Sequence, residues 1–121
     1  MPEVNMLAQT ATAAAFKHGE PWRLAQIQHL RKNRDYLFEE LNKISGIKMY
    51  PLESTFLAWV DVSALKLDNI EKFVEDAGVG ISAGAYFGNA GFIRINFACA
   101  MATLEEAVSR ISNAISKLSN T

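Results

Sequence analysis

The stretch Gly91-Phe92-Ile93-Arg94-Ile95-Asn96-Phe97-Ala98 decides how this chain is read. Alternation with period two marks a strand: Ile93, Ile95 and Phe97 point one way, and Phe92, Arg94, Asn96 and Ala98 the other. The first row is wholly apolar and needs cover. The second carries Arg94, the only arginine inside a predicted strand, with Asn96 about 7 Å further along the same face. A guanidinium grips a carboxylate through two parallel hydrogen bonds, and a neighbouring amide adds a third donor or acceptor. The competing reading is a charged residue on the wet side of a half-buried strand. Context favours the first, because a glycine-rich loop with Gly84, Gly88 and Gly91 precedes the strand and Gly80 lies just before it. Such a loop lets backbone approach a ligand or another domain closely.

Downstream, Thr103 is the expected N-cap of the last helix, with Glu106 in the capping-box position. Leu104, Ala107, Val108, Ile111, Ile115 and Leu118 form its buried face, and the polar tail Ser119-Asn120-Thr121 is expected to fray. Upstream, Val79 to Ser82 reads as a short strand and Ala83 to Gly91 as a flexible connection. Asp68 with Glu71 caps a helix that carries Ile70, Phe73, Val74 and Ala77 on one face and stops at Gly78. Thr55 to Asp61 is a strand apolar on both faces, and Lys48 to Tyr50 a shorter one closed by Pro51.

Two helices open the chain. Met6 to Lys17 is alanine-rich, Gly19 is its expected left-handed stop, and Pro21 suits the first turn of the next. In that second helix Leu24, Ile27, Leu30, Leu37, Leu41 and Ile44 make one stripe, and Ser45-Gly46 ends it. Arg34 lies beside the stripe and is expected to snorkel or pair with a carboxylate. The order is helix, long helix, strand, strand, helix, strand, strand, helix. Close pairs of strands point to an α+β domain, a small mostly antiparallel sheet packed with helices, rather than a regular βαβ series.

Composition sets the outer bounds. The chain has 121 residues, half of them hydrophobic and 21% charged, which is enough for one core. A net charge of −1 provides no field for nucleic acid or an anionic membrane. Apolar runs such as Phe56 to Val60 are far short of the ~20 residues that span a bilayer. No basic region followed by an apolar stretch opens the chain, which argues against a secretory signal. The single cysteine, Cys99, excludes an internal disulfide and a cysteine-based zinc site, and a cytoplasmic setting is expected.

No complete catalytic set emerges. Ser82, Gly84, Gly88 and Gly91 do not match a P-loop, and Gly78-Val79-Gly80 lacks the helix of a dinucleotide fingerprint. His18 and His29 have no partners at metal-ligand spacing and read as surface or helix-end residues. No serine sits in a nucleophile elbow. Cys99 reads as a small core residue, Trp22 and Trp59 as packing anchors, and Asp61 as a loop cap. Tyr86 and Phe87, aromatics on a glycine-rich loop, are placed to line a pocket or interface.

The segments Gly78 to Gly88, Gly91 to Cys99 and Thr103 to Ala107 together resemble the C-terminal end of fold-type I pyridoxal-phosphate enzymes. The most similar subgroup is the cystathionine β-lyase type, or MalY/PatB-like aminotransferases. His18 to Trp22, Asn33 to Leu37 and Thr55 to Asp61 resemble that family's small domain as well. Where the family usually has Ser-Pro-Gly, this chain has Ser82-Ala83-Gly84. A Pro commonly follows the Cys, where this chain has Ala100.

The resemblance implies an aminotransferase-type small domain over residues 1–121, with 1–19 as an interdomain helix and the cofactor-binding large domain elsewhere. It implies that Arg94 binds the substrate α-carboxylate and that the loop from Ser82 to Gly88 lies near the substrate entrance, so the expected substrate-binding residues are Arg94, Asn96, Ser82, Gly84 and Tyr86. None of the lysines lies in a motif like the cofactor-binding one. The chain therefore looks like a domain of a longer enzyme, with Met1 either an expression start or an internal residue. The expected function is part of a C–S β-lyase or aminotransferase, inactive alone and without bound cofactor. Pyridoxal phosphate, an amino-acid substrate, the chain's own large domain and a homodimeric state belong to the intact enzyme. Two alternatives stand beside this: a non-enzymatic protein-binding or regulatory domain that keeps the fold, and self-association of the isolated chain through uncovered faces. Met6 to Phe16 and the aromatic loop are the surfaces either would use.

Overall fold

The computed structural model describes residues 4–118; Met1 and the tail at 119–121 lie outside the described residues. The elements are α1 (Met6–His18), α2 (Glu20–Leu41), β1 (Lys48–Met49), β2 (Leu57–Asp61), α3 (Ile70–Asp76), β3 (Ser82–Ala83), β4 (Phe92–Asn96) and α4 (Met101–Leu118). Two short 3-10 turns, Ser63–Leu65 and Gly84–Phe87, complete the order. The four strands form one sheet in the order β1-β2-β4-β3, and every neighbouring pair is antiparallel. This is the expected α+β arrangement.

The alternation read in β4 is realised. Ile93, Ile95 and Phe97 are buried, whereas Phe92 and Arg94 are half-buried and Asn96 exposed. The buried row joins Ala58 and Val60 of β2, Met49 of β1, Leu37 and Leu41 of α2, and Leu104, Val108, Ile111 and Ile115 of α4. Each of these side chains larger than Ala58 contributes about 1.5–3 kcal/mol on burial. A surface ion pair such as Lys72–Asp76 contributes about 0–1 kcal/mol, so this one-sided core sets the architecture.

Several element ends differ from expectation, each for a local reason. Gly19 is not left-handed; its φ of −83° and ψ of −4° are near-helical. A glycine is needed because a Cβ would run into the Ala15 carbonyl oxygen, which already accepts the Gly19 N–H at 2.8 Å. The cap of α3 is Asn69, whose Oδ1 accepts the Lys72 N–H at 2.9 Å, not Asp68. Helix α4 starts at Met101, with the Ala100 carbonyl as first acceptor, so Thr103 lies inside its first turn. Helix α2 ends at Leu41 rather than at Ser45-Gly46, where Asn42 Nδ2 bonds Phe38 O and Met49 O while Asn42 Oδ1 accepts the Met49 N–H. Ile44 therefore lies past the helix.

Strand β3 covers only Ser82–Ala83, and the flexible connection is instead a 3-10 turn closed by left-handed Gly88, at φ +83°. At the amphipathic limits Leu24 and Leu118 are exposed rather than on the buried stripe. Trp22 is 71% exposed and anchors nothing. Arg34 pairs with Asp35, as expected.

His29 and Asn33 depart furthest from expectation. His29 is half-buried, and Asn33 is fully buried on α2. Asn33 Nδ2 donates to the carbonyls of Phe97 and Cys99, both at 2.8 Å, and His29 Nε2 reaches the Cys99 carbonyl at 2.7 Å. A carbonyl only accepts, so His29 carries a proton on Nε2. These carbonyls lie between the end of β4 and the start of α4, where no ladder partner is available, and α2 supplies the missing donors.

Thr55, before β2, has φ +66°, costly for a β-branched residue. Its Oγ1 accepts the Leu57 N–H at 3.1 Å.

Two stability outcomes are expected. Asn33→Ala strips the buried Phe97 carbonyl of its side-chain donor and leaves the Cys99 carbonyl with His29 alone, lowering the unfolding free energy by about 1–3 kcal/mol, measured by urea denaturation. An unchanged midpoint would show that the α2 clamp contributes nothing. Thr55→Asn keeps an acceptor for the Leu57 N–H and tolerates the left-handed backbone, so it stabilises by about 1 kcal/mol. A lower thermal midpoint for that variant would refute the strain at Thr55.

Candidate functional site

The candidate site lies on the sheet face opposite the core. Register puts Arg94 directly across from Trp59 on one side and Ser82 on the other. Arg94 Nη2 donates to Ser82 Oγ at 3.2 Å. Its guanidinium carbon sits over the Phe87 ring, 4.4 Å from the centroid. Phe87 in turn meets Trp59 edge-on, with centroids 5.9 Å apart and planes at 80°. Trp59 stacks on Phe92 at 5.3 Å and 12°. One cation and three rings thus form a continuous row on this face.

Arg94 is half-buried and, like the exposed Arg31, has no acidic partner among the described residues. Arg23, Arg34 and Arg110 are each held by a carboxylate, from Glu20, Asp35 and Glu106. A half-buried guanidinium with one protein hydrogen bond retains most of its five N–H donors for an anion.

The other expected site residues divide. Ser82 is brought against Arg94. Asn96 shares its face, but its Oδ1 accepts the Ala98 N–H at 2.9 Å and turns the end of the strand, leaving Nδ2 as its uncommitted polar atom. Gly84 is buried, and a side chain there would collide with the Asn89 and Phe92 carbonyl oxygens. Its lack of a side chain permits the tight turn. Tyr86 is not brought to Arg94; its hydroxyl donates to Glu71 Oε2 at 2.9 Å, and that carboxylate holds the phenol above its usual range. Asp61 caps its loop as expected, accepting from Ser63 N and Oγ, which lowers its carboxyl below the usual range.

Trp59 as a neighbour of Arg94 was missed by sequence reasoning, whereas Phe92 was read on the same strand face. Trp59 alternates with buried Ala58 and Val60, which signals its face, but only the cross-strand register reveals what it faces.

Elsewhere the chain offers little chemistry. All seven lysines are exposed; Lys43 is paired with Glu39 and Glu40, Lys72 with Asp76, and Lys48 lies over the Tyr50 ring. Burial pushes the Cys99 thiol up, away from the reactive thiolate. Among the described residues no His/Cys/Asp/Glu group could hold a metal ion, and no helix is long and apolar enough to cross a membrane.

Comparison with known proteins bears on the fold and the family. The chain is 36% identical over 117 residues to cystathionine beta-lyase of Corynebacterium glutamicum, covering 93% of this chain and 31% of the relative. Among solved structures, OvoB superposes with a TM-score of 0.91 at 42% identity, covering 95% of this chain and 30% of that one. The PLP-bound C-S lyase from Staphylococcus hominis gives 0.85 at 33% identity, covering 95% and 32%. The chain thus spans about a third of the length of these proteins. The family model for aminotransferase class I and II matches residues 4–111, and with that match the chain belongs to this family.

Proposed function

We propose that this chain provides the substrate-carboxylate grip of a pyridoxal-phosphate-dependent C–S β-lyase or aminotransferase acting on an amino acid. The observation that carries this reading is Arg94: half-buried, oriented by Ser82 and Phe87, and without a carboxylate of its own. A planar, permanently charged fork binds a carboxylate in one orientation. Holding the α-carboxylate at one end of an amino acid fixes the rotation about Cα, which decides which bond at that carbon is aligned to break. Lysine keeps the charge and loses the fork.

The residues present do not form a cradle for the cofactor. An aldehyde cofactor needs a lysine amine in a sheltered site, and every lysine here is exposed on a helix, a strand edge or a turn. The remainder of the active site belongs to sequence outside this chain, in keeping with its one-third share of its relatives' length. Exposed Met6, Leu7 and Phe16 on α1, which has no buried residue, fit packing against that remainder. The intact enzyme takes an amino acid as substrate and works as a homodimer. The same bare apolar helix favours the second reading, a protein-binding domain without catalysis.

In the full-length protein Arg94→Lys is expected to lower kcat/KM for the amino-acid substrate about 10- to 100-fold, the equivalent of about 1.5–3 kcal/mol. Wild-type kinetics in that variant would exclude Arg94 as the grip. The isolated chain, mixed with pyridoxal phosphate, is expected to show neither a bound-cofactor absorbance band nor turnover of cystathionine. Both appearing together would overturn the dependence on outside sequence.

A further inference from the structure

We propose that Phe87 is the positioning residue for Arg94, an aromatic platform that aims its guanidinium at a single carboxylate. The proposal rests on the carboxylate reading above and adds to it the group that makes the grip directional.

An arginine side chain has many rotatable bonds, and without a partner its charged end samples many directions. Most arginines in this fold are held by an acid, but a carboxylate beside Arg94 would occupy the donors a substrate needs. The structure uses two contacts that leave those donors available. Ser82 Oγ takes one N–H of Nη2. That bond alone permits rotation about the donor–acceptor line. The Phe87 ring, 4.4 Å from the guanidinium carbon, covers one side of the group and removes that freedom without accepting a conventional hydrogen bond.

The fork count follows. A guanidinium offers two forks, Nη1 with Nη2 and Nε with Nη2, each using a different N–H of Nη2. Ser82 takes one of those N–H groups and so disables one fork. The other remains for one carboxylate, which approaches in the guanidinium plane, where the N–H groups point.

Phe87 is itself held. Its ring meets the edge of Trp59, which is stacked on Phe92. Its backbone lies in the 3-10 turn closed by left-handed Gly88, and the preceding Tyr86 ties that turn to Glu71.

The test uses two preparations. In the full-length enzyme Phe87→Leu is expected to raise KM for the amino-acid substrate about tenfold, with kcat within about twofold and the cofactor absorbance unchanged. Phe87→Tyr and Phe87→Trp, which restore a ring face, are expected to bring KM back to within about threefold of the parent. In this chain, NMR of the unsubstituted protein is expected to show Arg94 side-chain protons displaced upfield by the Phe87 ring current. The displacement persists in the Tyr and Trp variants and vanishes in Leu. A parental KM for a folded Phe87→Leu enzyme, or aromatic variants no better than Leu, overturns the platform. If Phe87→Leu does not fold, undisplaced Arg94 signals in the unsubstituted chain overturn it, and displaced signals with rescued KM in the aromatic variants support it. Arg94→Lys separates the two claims. If it leaves KM unchanged, the carboxylate reading fails; if it raises KM while Phe87→Leu does not, only the platform fails.

Discussion

The division of this domain into a core face and an Arg94 face depends on the antiparallel pairing of β2 with β4 in one register. That ladder sets Ala58 opposite Ile95 and Val60 opposite Ile93 on the buried side, and Trp59 opposite Arg94 on the other. A slip of one residue would turn Ile93 and Ile95 outward and drive Arg94 into the core. Burying an unpaired guanidinium costs far more than any surface contact returns. The core therefore enforces the register, and the register places the cation among its aromatic neighbours. Stability and site geometry are consequences of the same strand.

This explains what the sequence revealed and what it withheld. The two rows of β4 were legible because alternation is local, and so was the face of α4. The α+β order followed from the spacing of short strands. Caps were harder: Asp68 and Asn69 are adjacent and chemically similar, and only backbone geometry selects Asn69. Thr103 matched a capping box, yet the chain turns into helix two residues earlier. Gly19 was read as a left-handed stop because glycine usually signals positive φ, whereas here steric room at Ala15 is the requirement. Asn33 gave no local signal at all. Its partners are the carbonyls of Phe97 and Cys99, more than sixty residues away, and only the tertiary fold brings them together.

The site was half legible for the same reason. Arg94 and Ser82 were identified separately and prove to be neighbours, while Tyr86 and Gly84 serve the turn that carries Phe87. The family resemblance rested on these same segments, and the shared fold and class I and II membership agree with it. What a resemblance cannot convey is the direction of a side chain, which depends on ring contacts across strands.

The joint at Gly19 has a consequence for α1. No residue of α1 is buried, so packing does not set the direction in which that helix leaves the domain. Its bearing is fixed instead by one residue of backbone, where the Gly19 N–H closes onto Ala15 and the Gly19 carbonyl accepts from Arg23. Gly19 thus acts as a sighting device. Any side chain placed there would push off the Ala15 carbonyl and swing the far end of the helix, carrying Met6 and Leu7 to a new address. The heading of α1 is thereby encoded in the absence of a single carbon atom.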